Sequence, residues 1–255
     1  MLLAVDVGNT ETMLGVFRER ELAWHWRMRT VPERTADELA LLFGGFLEHH
    51  GLSFDKNVTS VVLSSVVPQA TQALREMVRG YFRFDPVVVE PGTKTGVPVL
   101  TDNPREVGAD RVVNAAAAVH KFGAPVIVVD FGTATTFDAV SEKGEYVGGA
   151  IAPGVGISAQ ALYQQTARLP RVELVAPKSV IGRSTVEAVQ SGLLFGYAAM
   201  VDGMVDRIAK ELGSPAVVAT GGLAPVILGE TERIDHHEPW LTLEGLQLIF
   251  DRNTE

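Results

Sequence analysis

The sequence predicts an α/β protein made of two duplicated halves, each with a mixed sheet and flanking helices. Three observations predict it. Short apolar, β-branched runs alternate with stretches of helical periodicity along the whole 255 residues. A strand–turn–strand pattern with an aspartate at the first strand's end opens the chain and returns 124 residues later, Asp6 falling on Asp130 and Gly8 on Gly132. On the same offset Val16 falls on Val140 and Glu21 on Glu145, so each half begins with three antiparallel strands before its helices and parallel strands. The boundary is expected near residues 119–123, giving halves 1–119 and 120–255, with the two turns facing one cleft.

The elements follow in order. Leu2–Val7, 12–17 and 22–29 are strands joined by short turns. Residues 35–50 carry Leu39, Leu42, Phe43, Phe46 and Leu47 at helical spacing, and Gly51 ends them. Residues 58–67 read as a buried strand, 69–79 as a helix, 87–89 as a short strand and 94–102 as loop or irregular strand. Asn103-Pro104-Arg105-Glu106 resembles a helix start, but Gly108 makes it a turn, with the main helix over 109–120. The second half repeats the opening: strand 125–130, turn 131–136, then strands 137–140 and 145–151. Residues 184–212 form a long helix, kinked or in two parts, with Ser184 and Glu187 as a capping box. Val189, Leu193, Met200, Met204 and Ile208 give it an apolar stripe; Gly192, Gly196, Ala199 and Gly203 give a small-residue face that another helix could approach, within the domain or across a dimer. Strand 216–219 runs into Thr220-Gly221-Gly222, and an amphipathic helix over 243–250 follows.

Composition removes several function classes. Apolar content of 46% and charged content of 21% suit a packed domain. A net charge of −9 argues against a general nucleic-acid or anionic-membrane binder. The absence of cysteine excludes disulfides, thiolate metal sites and cysteine nucleophiles. Asp6 breaks the first apolar run too early for a signal peptide, and no apolar stretch approaches the roughly 20 residues of a membrane span; a cytoplasmic protein is expected.

The chemistry sits in turns. In Asp6-Val7-Gly8-Asn9-Thr10 the glycine lets backbone N–H groups approach a phosphate, Asn9 and Thr10 donate to its oxygens, and Asp6 can hold a cation directly or through water; an ordinary hairpin is the competing reading. Asp130 to Thr136 is a second such turn, and the pair makes a phosphate clamp. Thr220-Gly221-Gly222 lets a flat ligand such as adenine lie on the backbone, or is a steric αβ turn. Gly148-Gly149 and Pro153-Gly154 shape the cleft or are simple turns. In Gly108-Ala109-Asp110-Arg111, Asp110 either caps a helix or accepts a hydroxyl proton in phosphoryl transfer, and Arg111 can bind a carboxylate bidentately. No P-loop and no Gly-x-Gly-x-x-Gly turn is present. The pairs His49-His50 and His236-His237 read as surface histidines, and Trp24, His25 and Trp26 as packing residues of a strand.

Taken together, Asp6-x-Gly-Asn-Thr10, Gly108-Ala-Asp-Arg111, Asp130-Phe-Gly-Thr-Ala-Thr-Thr136, Gly148-Gly149 with Pro153-Gly154, Gly182-Arg-Ser-Thr185 and Thr220-Gly-Gly222 resemble the type III pantothenate kinases in order and rough spacing. That family belongs to the actin, Hsp70 and sugar-kinase superfamily, whose duplicated ribonuclease-H-like halves agree with the repeat. The resemblance implies ATP-dependent phosphorylation of pantothenate at its primary hydroxyl, the first step towards coenzyme A, by a homodimer. It implies ATP contacts by Asp6, Val7, Gly8, Asn9, Thr10, Glu11, Thr12, Met13 and Thr133, with Gly221 and Gly222 beside the nucleotide. It implies Asp110 as general base, and pantothenate binding by Gly108, Ala109, Asp110, Arg111 and Thr185. It implies K+ or NH4+ at Asp130, and Mg2+ with ATP, for which Asp6 is the candidate. Many members carry a tyrosine where this chain has Thr101. Two alternatives remain: a superfamily kinase or phosphatase with another substrate, and a non-catalytic ATP-binding regulator on the same scaffold.

Overall fold

A computed structural model describes residues 1–254 as two compact units. The first comprises Met1–Pro98, Asp102–Ala117 and residues 241–254; the second comprises Val99–Thr101 and Ala118–Trp240.

The first unit holds β1 (Leu2–Val7), β2 (Glu11–Arg18), β3 (Glu21–Arg29), α1 (Ala36–Glu48), α2 (Phe54–Asn57), β4 (Ser60–Ser65), α3 (Pro68–Met77), β5 (Val87–Val88) and α4 (Ala109–Phe122) as far as Ala117. Its sheet order is β3-β2-β1-β4-β5, with β2 antiparallel to both β1 and β3, and β4 and β5 parallel to β1. β1 is buried along its whole length because neighbours cover both faces, so it reads as a continuous apolar run. The edge strand β3 alternates instead: Trp24, Trp26 and Met28 pack on the core while His25 and Arg27 face water. Thr35 and Glu38 close a capping box on α1, which buries Leu39, Phe43 and Leu47. His50 lies against Trp24 and Trp26, with ring centroids 5.7 and 5.5 Å away. A π-helical turn, Val78–Phe82, follows α3 and ends at Arg83 in the left-handed region.

The second unit holds β6 (Val126–Phe131), β7 (Ala134–Val140), β8 (Tyr146–Pro153), α5 (Val155–Gln165), α6 (Thr185–Leu212), β9 (Ala216–Thr220), α7 (Ala224–Ile227) and β10 (His236–His237). Its order, β8-β7-β6-β9-β10, with the same directions, repeats the first sheet. Even the irregularity repeats: the β2–β3 register shifts at Val16/Phe17 and the β7–β8 register at Ala139/Val140.

The registers refine the offset. Leu3 pairs with Val16 and Ile127 with Ala139, so β1 and β6 differ by 124 positions but β2 and β7 by 123. Ala139, not Val140, is therefore the counterpart of Val16. The physical cause is a turn one residue shorter in the second unit, where Gly132 donates to Ala134 O rather than across the four residues that join Gly8 to Glu11. Thr135 and Thr136 accordingly lie in β7 rather than in the turn.

Other expectations change. α5 was not foreseen: it buries only Val155, so its sequence carries little apolar periodicity. α6 is one helix of 28 residues, and its most buried positions are Leu194, Ala198, Val201 and Val205, beside rather than along the expected stripe. It is long and apolar enough to cross a membrane by length and composition, correcting the sequence expectation, yet that buried face packs in the second unit's core. Its cap is split: Ser184 accepts from Glu187 N, while Glu187 accepts from Arg183 N instead of closing the box.

The last helix, α8 (Leu241–Thr254), differs from the halving of the chain at residue 120, for it packs on β1, β2 and β4 of the first unit. The reason is local. Gly15 leaves room on β2 for Leu22 and Leu243, since a Cβ there would lie 2.8 and 2.9 Å from a methyl of each. Gly245 in turn lets α8 touch α4, where a Cβ would lie 2.5 Å from Val113 O.

Candidate active site

In the first unit the site grows from the ends of two neighbouring parallel strands. Asp6, at the end of β1, is buried and accepts a hydrogen bond from Ser64 on β4. Val7 continues β1, and the Gly8–Glu11 bond (3.0 Å) closes the turn, leaving Asn9, Thr10 and Glu11 exposed at its tip. Thr12 and Met13 begin the return strand, paired with Val7 and Asp6. Thr30, at the end of β3, locks this turn from behind. Its hydroxyl donates to Gly8 O at 2.8 Å, so its contact with the Thr12 hydroxyl, also 2.8 Å, must be donated by Thr12. Its N–H donates to Thr10 O.

The Gly108–Arg111 segment adjoins this strand end. Val66 N–H donates to Val7 O, and the Val66 side chain lies 3.6 Å from where a Gly108 Cβ would stand. Gly108 caps α4 through its carbonyl, which accepts from Arg111 and Val112 N–H. Its missing side chain has a separate purpose, because a Cβ would lie 2.5 Å from Asp110 Oδ1. Ala109 opens the helix and Asp110 is its second residue. Asp110 Oδ1 accepts from Arg111 N–H at 2.8 Å. Burial raises the Asp110 pKa above the usual carboxylate value; that hydrogen bond and the Arg111 charge oppose the rise only in part. The result is a carboxylate of increased basicity at a helix N-terminus, the property a proton acceptor needs.

In the second unit, half-buried Asp130 occupies the matching end of β6. Gly221 is required beside it twice over: its φ is +94°, and a Cβ would meet Asp130 Oδ1 at 2.4 Å. Gly222 is exposed just beyond. Thr133 is exposed at the turn tip, and its carbonyl accepts from Gly154 N–H at 3.0 Å. Gly154 packs so closely that a Cβ would lie 2.3 Å from that carbonyl oxygen. Thr185 is the exposed first residue of α6, outside the cap bonds made by Arg183, Ser184 and Glu187. Thr101 belongs to this unit, and its hydroxyl is buried with no hydrogen-bond partner.

Sequence reasoning missed Thr30 and Ser64. Both are hydroxyl residues at strand ends, Thr30 just after the alternating β3 and Ser64 where the apolar run Val61–Leu63 of β4 gives way to Ser64-Ser65. For Ser64, that change from apolar to hydroxyl residues at a strand end was the available signal. Among the described residues no three His, Asp or Glu side chains converge on a metal position. Single strand-end carboxylates such as Asp6 and Asp130 fit cations that take most of their remaining ligands from water, backbone and substrate phosphate.

Two mixed five-stranded sheets of identical order, each with an aspartate at the end of its central strand, define the actin, Hsp70 and sugar-kinase fold. Solved structures show the same architecture. A Campylobacter jejuni protein described as a Baf family transcriptional activator superposes with a TM-score of 0.62 at 18% identity, covering 98% of each chain. The activator of the 2-hydroxyisocaproyl-CoA dehydratase from Clostridium difficile, with bound ADPNP, gives 0.56 at 12% identity over 99% of this chain and 95% of its own. Within that fold the sequence is specific. The family model for type III pantothenate kinase matches residues 2–207, and a type III pantothenate kinase of Streptomyces coelicolor is 54% identical over 261 aligned positions, 99% of this chain and 98% of that protein. The chain belongs to the type III pantothenate kinase family.

Proposed function

We propose that this protein transfers the γ-phosphoryl group of ATP to the primary hydroxyl of pantothenate, giving 4′-phosphopantothenate, the first step of coenzyme A biosynthesis. Family membership over nearly the full chain supports the reaction. The observation that carries the mechanism is Asp110: half-buried, raised in pKa by desolvation, and given its space by Gly108. In this reading Asp110 takes the proton of the pantothenate hydroxyl as the phosphoryl group arrives, a role that needs position above all. Arg111 orients the pantothenate carboxylate, with Gly108, Ala109 and Thr185 completing the substrate contacts.

Residues Asp6 to Met13 and Thr133 hold the ATP phosphates, and Gly221 and Gly222 lie along the nucleotide. Asp6 takes the Mg2+ that accompanies ATP, directly or through water, and Asp130 takes K+ or NH4+. Bound Mg2+ would neutralise charge developing on the phosphates. We assign the chain to the cytoplasm as a homodimer, with ATP and pantothenate as its partners and neither nucleic acid nor membrane among them, and with lobes divided near residue 119 apart from Val99–Thr101 and the returning α8.

A coupled assay of ADP release, with and without pantothenate and with K+ varied, tests this reading. Pantothenate-dependent, K+-stimulated release is expected. Tight ATP binding without turnover on pantothenate would transfer the case to a regulator, and turnover on another hydroxyl substrate to a different kinase.

A further inference from the structure

We propose that α8 is the spacer that fixes Asp110 relative to the Asp6–Met13 turn, with Thr242 and Gly245 as positioning residues. The inference rests on the assignment of Asp110 as the proton acceptor. Every contact involved lies within the first unit.

On one side α8 seats in the sheet that carries the turn. Leu243 is fully buried against Gly15, which pairs in β2 with Ala4 of β1. On its other side α8 meets α4 without clearance. Gly245 stands where a Cβ would be 2.5 Å from Val113 O, and the Thr242 hydroxyl donates to Asn114 Oδ1 at 2.7 Å in a buried contact. Val113 and Asn114 follow Asp110 by three and four positions, one helical turn along α4. The first turn of α4 is thereby referenced, through one rigid helix, to the strands that end in the phosphate turn. A backbone carbonyl cannot move aside as a flexible side chain can, so a methyl group at position 245 shifts α4 against the sheet. Sub-ångström errors in the position of a catalytic group lower turnover steeply.

The test compares three variants in the full-length protein. Gly245→Ala is expected to lower kcat by about tenfold or more, leaving the dissociation constant for ADP within about twofold. Thr242→Val, which replaces the hydroxyl by a methyl group of similar size, is expected to lower kcat by about threefold to tenfold and to move the acid limb of the kcat/KM profile, because the surroundings of Asp110 change. Thr242→Ser should restore both. If the alanine variant does not fold, the Thr242 pair decides alone. A folded valine variant with parental kcat and pH profile overturns the proposal, as does a loss of ADP affinity equal to the loss of kcat. Asp110→Asn, assayed alongside, separates the two levels: near-parental turnover there removes the proton-acceptor assignment itself, while an inactive asparagine variant beside parental Thr242→Val and Gly245→Ala removes only the spacer.

Discussion

The aspartates at the ends of β1 and β6 occupy equivalent positions but have unlike neighbours. Asp6 is buried and bonded to the Ser64 hydroxyl, while Asp130 is half-buried and lies against the bare backbone of Gly221. Register explains the pairing: Ser64 stands opposite Asp6 and Thr220 opposite Asp130, and the next positions along are Ser65 and Gly221. The helices after the fifth strands diverge in the same way. Both α4 and α8 have 14 residues, but the second position is Asp110 in one and Thr242 in the other. Duplication has preserved sheet order, register and bulge, where many residues cooperate. It has let the strand-end and helix-start side chains drift apart, where one residue decides the chemistry.

The sharpest way to break the comparison is at the helix start. Asp110→Asn should lower kcat by about 10²–10⁴-fold with nucleotide binding retained. The same substitution should stabilise the fold at neutral pH. The folded-state pKa is raised above the ordinary aspartate value by desolvation, so the ionised form is the disfavoured one in the native protein. The gain in denaturation midpoint should be full above the folded pKa and disappear as pH falls to the unfolded value. The acid limb of kcat/KM in the parent should likewise lie above the ordinary aspartate range, and a limb at or below it would remove Asp110 as the titrating group.

Next in size is the strand-end pair. Gly221→Ala forces a positive φ and a clash with Asp130, and should destabilise by about 1–3 kcal/mol with a raised KM for ATP. Ser65→Ala loses only bonds to the Val67 backbone and should cost about 0.5–1.5 kcal/mol in urea unfolding. Equal costs would mean that the two strand ends are not distinct. The carboxylates themselves come third: Asp130→Ala should erase K+ stimulation and keep Mg2+ dependence, whereas Asp6→Asn should raise the Mg2+ requirement and keep the K+ response. Matching ion responses in the two variants would count against the division of roles. The smallest effect belongs to Thr30→Val, which cuts the Thr12–Thr30–Gly8 chain; about 1 kcal/mol of stability and a modest rise in KM for ATP are expected, with pantothenate KM unchanged.

Much of this was legible in the residues. β1 and β6 could be read from unbroken apolar runs, and the duplication from aspartate and glycine at a fixed interval, because central strands and tight turns constrain single positions. The one-residue change in the second turn was not legible, since both turn lengths are compatible with the same residue types. Nor was α5, whose apolar residues cover little core. Thr30 escaped because its role depends on β3 ending beside the turn, a tertiary fact. The position of α8 escaped because periodicity gives a helix its buried face but not the sheet that buries it. The fit of Asp110 beside Gly108 was half visible: the sequence placed a carboxylate at a helix start, and only the structure shows that a methyl group on Gly108 would displace it.

The packing of α8 on β1 and β2 has a consequence for synthesis. The strands of the first unit leave the ribosome first, but Leu243, which fills the space left by Gly15, follows more than 200 residues later. The core between this sheet and α1 and α3 is built from residues 1–88 alone and can form early, but until α8 is made the opposite face, around Gly15, lacks its cover. A nascent chain stalled before Leu241 should therefore expose that one face and bind hydrophobic-surface chaperones that the finished protein does not.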